Sequence, residues 1–466
     1  MRKSAGALFL AALIAVLGCQ PQSAPVAGKP AVNTSIEHSF AVLDPGHFHA
    51  ALVFKSAAYP GVDSLVSIYA PVGQDYVDHM ARVVPFNTRE TDPAGWRYKS
   101  YLGPDYETEI LNDDWSDIVV LSGRNQPKID RILACVRHGK NVLADKPWVI
   151  EPSKLAVLDT VLAVADSCQL VAYDIMTERH EITTILQREL IQDQTLFGNP
   201  QSGTPEQPAV VKKSVHHLFK SVAGRPLIRP WWFFDTAVQG EGLVDVTTHL
   251  VDITFWCLFP EQPIDYKTDI QMQDARHWPT LIDREQFGRV TGLTDFPPQL
   301  KLDETGKLPY FCNGSMNFSL RGINVLLQVE WNFEAPAGAG DTHFSTVRGS
   351  LASVLIEQGP DQNYRPELYV EAAEGIAPEA VGQALATSLA RLTGGNYPGL
   401  ELKKEGARWH ILIPDSYRIG HEAHFGQVTK SFLGYLGNGT LPAWERPNML
   451  AKYYVTTSAL ELARSK

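Results

Sequence analysis

The chain has 466 residues, of which 44% are hydrophobic and 20% charged, and a formal net charge of -11 at pH 7. That length exceeds one ordinary hydrophobic core and leaves room for two domains, and the composition excludes a largely disordered chain. The acidic balance, with no Lys/Arg run beyond short pairs, excludes a phosphate-tracking face, so nucleic acid is not an expected partner and a neutral or weakly polar small molecule fits better.

Met1-Arg2-Lys3 precedes an apolar run from Ala5 to Leu17, followed by Gly18-Cys19. The run is too short to span a bilayer in a mature protein, and a basic start with a small residue before cysteine is the pattern of a processed export signal. Val16-Leu17-Gly18-Cys19 resembles a bacterial lipobox, with Leu17 bulkier than usual; the alternative is a plain secretory peptide cut nearby. On the lipobox reading residues 1–19 are a lipoprotein signal peptide, Cys19 is lipidated, and residues 20–35 are a flexible tether. The protein then belongs to the cell envelope, periplasmic or surface-facing, and touches membrane only through its anchor. Cys135, Cys168, Cys257 and Cys312 have no close paired spacing, so buried thiols are expected rather than a zinc ribbon or a disulfide framework.

From His38 short apolar runs alternate with helical patterns, as in an α/β fold with a doubly wound parallel sheet. Phe40–Leu43 is the expected first strand, and Asp44 to His49 a tight turn into a helix carrying Ala50, Leu52, Val53 and Phe54. Leu65–Tyr69 is the second strand, and Asp117–Leu121 a buried strand ending in Ser122-Gly123-Arg124-Asn125. Asn125 is a candidate N-cap, with Pro127 early in a helix that buries Ile129, Ile132, Leu133 and Val136 and stops near Gly139. Asn141–Ala144 is a further strand, followed by Asp145-Lys146-Pro147. Open α/β sheets bind ligands at the carboxyl ends of their strands, so the site is expected along Gly46, Ser122 to Asn125 and Asp145 to Pro147.

Gly46 would let a pyrophosphate approach the backbone at a helix N-terminus. A dinucleotide fingerprint carries several glycines, however, and here Asp44 and His49 flank a single one, so a cofactor turn and a structural turn both stay open. The segment from Tyr69 to Asp75 after the second strand offers no immediate charge, and the lack of Lys or Arg there favours NAD over NADP.

Beyond Asp174 the pattern changes to one helix, Glu181–Leu190, and then to strands at Ala209–Val215, Asn324–Phe333, Phe344–Leu355, Glu367–Val370 and Trp409–Ile413. Asn324–Phe333 is apolar at every second position, the mark of a half-buried antiparallel strand. Two closing helices are expected at about Glu422–Leu436 and Asn448–Leu462. Asp245 and His249 are four residues apart, so on a helix they share a face, with Asp252 following on the same side. A carboxylate so placed can orient an imidazole; the alternative is a helix cap and a satisfied histidine.

Hydrogen-bonding residues interleaved with aromatics suit a sugar, and His216, His217, Lys220, Trp231 and Trp232 are candidate pocket residues on that ground. At least two of the four aromatics from Trp231 to Phe234 are expected in the core. Glu178 and Arg179, which begin the linking helix near the expected site, are further candidate substrate-binding residues. His421 and His424, three apart with no further ligand nearby, are a weak pair, and no metal is expected.

The segment Lys140 to Trp148 resembles the strand and Glu-Lys-Pro motif of the glucose-fructose oxidoreductase and inositol dehydrogenase (Gfo/Idh/MocA) family, with Asp145 in place of the glutamate. Pro45 to Ala50 resembles glycine turns in some branches of that family, and Gly240 to His249 resembles its glycine-pair, aspartate, three-residue, histidine motif. The resemblance implies a Rossmann dinucleotide-binding domain over residues 36–178 and an α+β domain with a large, open, mainly antiparallel sheet over 179–466, serving substrate binding and oligomerisation. It implies tightly bound NAD, with NADP possible, along Gly46, His47, Phe48, His49, Ser122, Gly123, Arg124, Asn125, Asp145, Lys146 and Pro147. Lys146, Asp245 and His249 are the implied catalytic residues, acting on a carbohydrate in a homo-oligomer.

Oxidising a secondary alcohol sends a hydride to nicotinamide while a base with a pKa near working pH takes the hydroxyl proton, a requirement that histidine meets without perturbation and lysine only when burial or a cationic neighbour lowers its pKa. His249 is the expected proton acceptor, Lys146 holds the reacting oxygen and helps relay its proton, and Asp245 positions the substrate or the imidazole; the lysine and histidine roles could be exchanged. Two rival readings share these residues. One is a glycoside-cleaving enzyme that oxidises transiently and then eliminates the aglycone, and the other a lipid-anchored sugar-binding protein with a degenerate cofactor site.

Overall fold

Two sheets organise the chain in the computed structural model, which describes residues 36–222 and 225–466. The expected signal peptide, Cys19 and the tether lie outside the described residues. The first sheet comprises β1 (Phe40–Leu43), β2 (Leu65–Ala70), β3 (Arg97–Leu102), β4 (Ile118–Leu121), β5 (Asn141–Asp145) and β6 (Ala172–Ile175). All pairings are parallel and the order is β3-β2-β1-β4-β5-β6, so the winding reverses between β1 and β4. β1, β4 and β5 are buried along their whole length, which explains their unbroken apolar runs. Sequence reading missed β3, because it is an edge strand whose residues Arg97-Tyr98-Lys99-Ser100 are mostly exposed and polar.

The second sheet has nine strands: β7 (Val210–Phe219), β10 (Ile270–Ile282), β11 (Leu308–Leu320), β12 (Ile323–Glu334), β13 (Thr342–Arg348), β14 (Ala352–Gln358), β15 (Glu367–Ala372), β16 (Glu401–Glu405) and β17 (Arg408–Leu412). A two-stranded ribbon, β8 (Ser221–Val222) and β9 (Arg225–Pro226), follows β7. The order β10-β11-β12-β7-β13-β14-β15-β17-β16 is antiparallel throughout, except where β12 and β7 run parallel. β12 alternates buried and more exposed side chains as its sequence period requires. The single strand expected over Phe344–Leu355 is instead the β13–β14 hairpin, turning at Gly349-Ser350. A Cβ at Gly349 would stand 2.2 Å from the Phe197 carbonyl oxygen, so only glycine permits that approach.

The helix Glu445–Arg464 packs on β10 and on the helices Thr247–Leu258 and Leu155–Ser167, tying the C-terminus to both sheets. A buried ion network lies along this seam. Arg179 reaches Asp252 at 2.6 Å and Glu445 at 2.6 Å, while Lys452 reaches Asp174 at 2.6 Å and Asp252 at 3.1 Å. Arg179 and Asp252 are therefore committed to holding elements together, which corrects the expectation that Arg179 meets substrate. Cys135, Cys257 and Cys312 are buried thiols, and Cys168 is an exposed one. Among the described residues, no helix is long and apolar enough to cross a membrane.

Candidate active site

The carboxyl ends of β1, β4 and β5 meet the start of the helix Thr247–Leu258 around a cavity of about 360 Å³. The parallel sheet contributes His47, Phe48, His49, Gly123, Asn125, Asp145 and Lys146 to its wall. Asp245, His249, His216, Lys220 and Glu178 line it from the other elements. These residues lie far apart in sequence, and the fold converges them because each strand delivers its terminal turn to one edge.

Lys146 donates to Asp245 Oδ1 at 2.6 Å, and Gln239 donates to the other carboxylate oxygen at 3.2 Å. Burial raises the Asp245 carboxyl, but the Lys146 ammonium and the Gln239 amide outweigh it and hold the group below the ordinary aspartate value. Asp245 stands in the turn ahead of the helix, not on it, and its carboxylate orients the lysine rather than the imidazole. His249 keeps a buried Nδ1 with no hydrogen-bond partner among the described residues. Burial, with the nearby Lys146 charge, lowers its pKa to about 3, so the expectation of an unperturbed histidine base is corrected to one of a neutral, weakly basic ring.

A second polar group surrounds Asp145. Its Oδ2 accepts from His49 Nδ1 at 2.9 Å and from the Ser122 hydroxyl at 3.0 Å, with His47 Nδ1 at 3.6 Å. Burial raises this carboxyl, yet His49, His47 and Lys128 together hold it well below the ordinary range. Ser122 thus supports the wall from behind rather than lining it. Asn125 does not cap the following helix: its amide donates to the Gln239 carbonyl at 2.7 Å and its oxygen accepts from Lys128 at 2.5 Å. Lys128 also donates to the Asp145 carbonyl at 2.9 Å, and burial lowers it to about 8. A lysine in the first turn of a helix runs against the macrodipole, the one sequence signal that could have marked it.

The ligand atoms of His47, His49 and Asp145 lie within 4.8 Å of one another, a donor set able to hold a cation, although Lys128 and Lys146 place positive charge beside it. The His421 and His424 rings meet edge-on with centroids 6.3 Å apart, and His421 Nδ1 faces Glu178 at 3.4 Å.

Several candidates stand off the cavity wall. Arg124 spans Asp44 at 3.1 Å and Asp75 at 2.8 Å and lies 5.1 Å from the Trp232 ring. Trp232 is buried, donates to Asp75 at 3.0 Å, and fills the space over Gly46, where a Cβ would approach its ring to 2.7 Å. Trp231, Trp232 and Arg124 line a second cavity of about 420 Å³ beyond β2, together with Gly73, Asp75 and Arg229. His217 is buried against Asp341 at 2.9 Å outside the main cavity, and Pro147 does not reach its wall. Gly46 therefore lies between two cavities along the carboxyl edge. A guanidinium such as that of Arg124 and a carboxylate such as that of Asp75 are groups of the kind that meet a dinucleotide's pyrophosphate and ribose hydroxyls, so the chemistry of this lining is compatible with such a cofactor once Arg124 shares its pairing with Asp44 and Asp75. Asp75 corrects the reading of an uncharged segment after β2, because the turn folds back and brings it to the sheet edge.

Residues 186–464 match the family described as "Putative oxidoreductase C terminal domain". No curated protein matches the chain. Among solved structures, a "putative oxidoreductase" from Parabacteroides merdae is 47% identical, with a TM-score of 0.90 over 93% of this chain and 98% of that one. Levoglucosan dehydrogenase in complex with NADH gives a TM-score of 0.59 at 11% identity over 92% of this chain and 97% of its own. KijD10, a 3-ketoreductase from Actinomadura kijaniata in complex with NADP and TDP-benzene, gives 0.53 at 13% identity over 90% and 96%. At such identities the last two show the shared fold.

Proposed function

The chain belongs to the Gfo/Idh/MocA oxidoreductases, carrying the matched C-terminal domain, and on that premise we propose that it transfers a hydride between a secondary hydroxyl of a sugar or glycoside and a tightly held NAD(P). The observation that carries this reading is the Lys146–Asp245 pair of 2.6 Å with His249, whose buried Nδ1 has no hydrogen-bond partner among the described residues, in the same cavity at the carboxyl edge of the parallel sheet. When bound, the nicotinamide supplies the hydride acceptor. Levoglucosan dehydrogenase with NADH and the ketoreductase with NADP support a dinucleotide here, and Asp75 favours NAD, because a carboxylate repels the extra phosphate of NADP.

The division of labour follows from the charges. Lys146, fixed by Asp245, presents an ammonium to the oxygen on which negative charge develops as the hydroxyl proton leaves, before hydride departure from the carbon discharges it into a carbonyl. His249 is neutral across the physiological range and offers a lone pair to the hydroxyl hydrogen. A developing alkoxide beside the ring restores part of the proton affinity that burial removes, so the imidazole can take the proton during the reaction. Export with Cys19 as the lipid anchor is part of the proposal, supported by the N-terminal sequence pattern. It bears on the chemistry, because free nicotinamide cofactor is not expected outside the cytoplasm and a retained one would be needed.

The test is to denature the purified chain and analyse the released small molecules by mass spectrometry. Near-stoichiometric NAD or NADP is expected. An empty protein that also fails to bind added dinucleotide refutes the proposal.

A further inference from the structure

Arg229 is a buried cation with no carboxylate in ion-pair contact among the described residues, the charges of Asp245 and Asp341 reaching it only at longer range. It is 5% exposed, and its side chain makes one hydrogen bond among the described residues, from Nε to the Leu218 carbonyl at 2.9 Å. No carboxylate pairs with it there. The other cations lining the two cavities are all matched: Lys146 by Asp245, Lys220 by Asp341 at 2.7 Å, and Arg124 by Asp44 and Asp75. Removing a guanidinium from water is costly unless an anion offsets it, and burial lowers this one to about 10.

The group is also held rigidly. Its backbone N–H donates to the Val290 carbonyl at 2.8 Å, and its plane lies over Phe233 at 4.5 Å and Trp331 at 5.4 Å. With Nε and the plane fixed, the two terminal amino groups have no protein acceptor among the described residues, and Arg229 lines both cavities. A fixed fork of two free donors matches the two oxygens of a carboxylate or phosphate.

We infer that Arg229 is the receptor for an oxyanion of the bound ligand, and that the substrate is an acidic sugar whose carboxylate it holds. This deepens the oxidoreductase reading and rests on it, and it replaces the neutral substrate expected from net charge with an anionic one. The substrate is favoured over the cofactor phosphate as the source because Arg229 is clamped by Trp331 of the nine-stranded sheet, whereas Arg124 already stands beside the turn after β1.

The test uses the whole purified chain and its Arg229→Gln and Arg229→Lys variants. Calorimetric titration compares D-glucuronate with D-glucose, D-galacturonate with D-galactose, and D-gluconate with D-glucitol, while mass spectrometry reports dinucleotide content. At least one acid should bind about ten-fold more tightly than its neutral partner, corresponding to one added charge-assisted contact. Arg229→Gln should erase that preference and Arg229→Lys restore part of it, with dinucleotide content unchanged. Arg229→Gln should unfold at or above the wild-type temperature, since it removes an unmatched buried charge, which separates lost binding from lost folding. If Arg229→Gln instead strips the dinucleotide while acids and neutral sugars bind alike, the oxyanion belongs to the cofactor and the acidic-sugar inference is overturned. If neither property changes, the receptor itself is overturned. A wild-type chain that prefers acids but holds no dinucleotide refutes the oxidoreductase reading and leaves Arg229 in place.

Discussion

Lys146 Nζ and Asp245 Oδ1 meet at 2.6 Å across 99 positions of sequence, and each side chain is only 9% exposed. A pair this buried depends on both members, because removing one strands the other's charge away from water. Asp245→Ala should therefore lower unfolding free energy by about 3 kcal/mol, measured by urea denaturation, and Asp245→Asn, which keeps the shape, by less. Equal stability of the alanine variant would show that Lys146 is better solvated than its surroundings indicate.

Lys146→Ala and His249→Ala should each slow turnover by roughly 10²–10⁴-fold, the range for a lost acid–base or electrostatic group, while dinucleotide content stays near wild type. Near-normal rates in either variant, read by nicotinamide absorbance with a substrate found by screening, would refute the assigned roles.

Gly46→Ala brings a Cβ to 2.7 Å from the Trp232 ring. Overpacking of this kind costs about 1–3 kcal/mol. Trp232→Phe in the same chain should recover part of that loss, so a double-mutant cycle in thermal unfolding should show coupling between the two positions. Additive effects would mean that the ring moves aside freely.

Asp75 lines the cavity beyond β2 and is held by Arg124 at 2.8 Å and Trp232 at 3.0 Å. Titration of cofactor-stripped protein should show tighter binding of NAD than of NADP, and Asp75→Ser should narrow the gap, because the repulsion of the 2′-phosphate is removed. An unchanged ratio would place the ribose elsewhere.

Acid should begin to destabilise the protein as pH falls below 6.5, through its buried histidines. Burial lowers His79, His249 and His343 from 6.5 to about 3, and His180 and His424 to about 4. Between those values and 6.5 the unfolded chain binds more protons than the folded one, so stability is full above 6.5 and falls as pH drops. Each fully buried imidazole costs about 1.4 kcal/mol one pH unit below 6.5. His38, raised by its hydrogen bond to Asp117, opposes this with a single group. Urea midpoints at pH 7.5 and 5.5 should differ accordingly, and a flat profile would show that these rings gain solvent in solution.

Sequence determined the strands buried on both faces, since β1, β4 and β5 must be apolar at every position and are followed by the turns that carry function. It also determined which residue types could do the chemistry, because Lys146, Asp245 and His249 sit in motifs with recognisable spacing. β3, β10 and β16 escaped it, as strands with exposed polar positions lack a readable period, and β11 escaped it although its buried positions largely alternate, because Pro309, Asn313 and Gly314 interrupt the apolar run.

Partnership was decided by tertiary structure alone. Arg179 and Arg229 look alike in sequence, yet the first is consumed by Asp252 and Glu445, and the terminal amino groups of the second meet no acceptor among the described residues. Asp245 lay near His249 in the chain but bonded Lys146, and Asp75 reached the sheet edge through a turn with no distinctive pattern. Which charges meet depends on contacts between distant segments, and the energy of a buried charge depends on those contacts far more than on its neighbours in sequence.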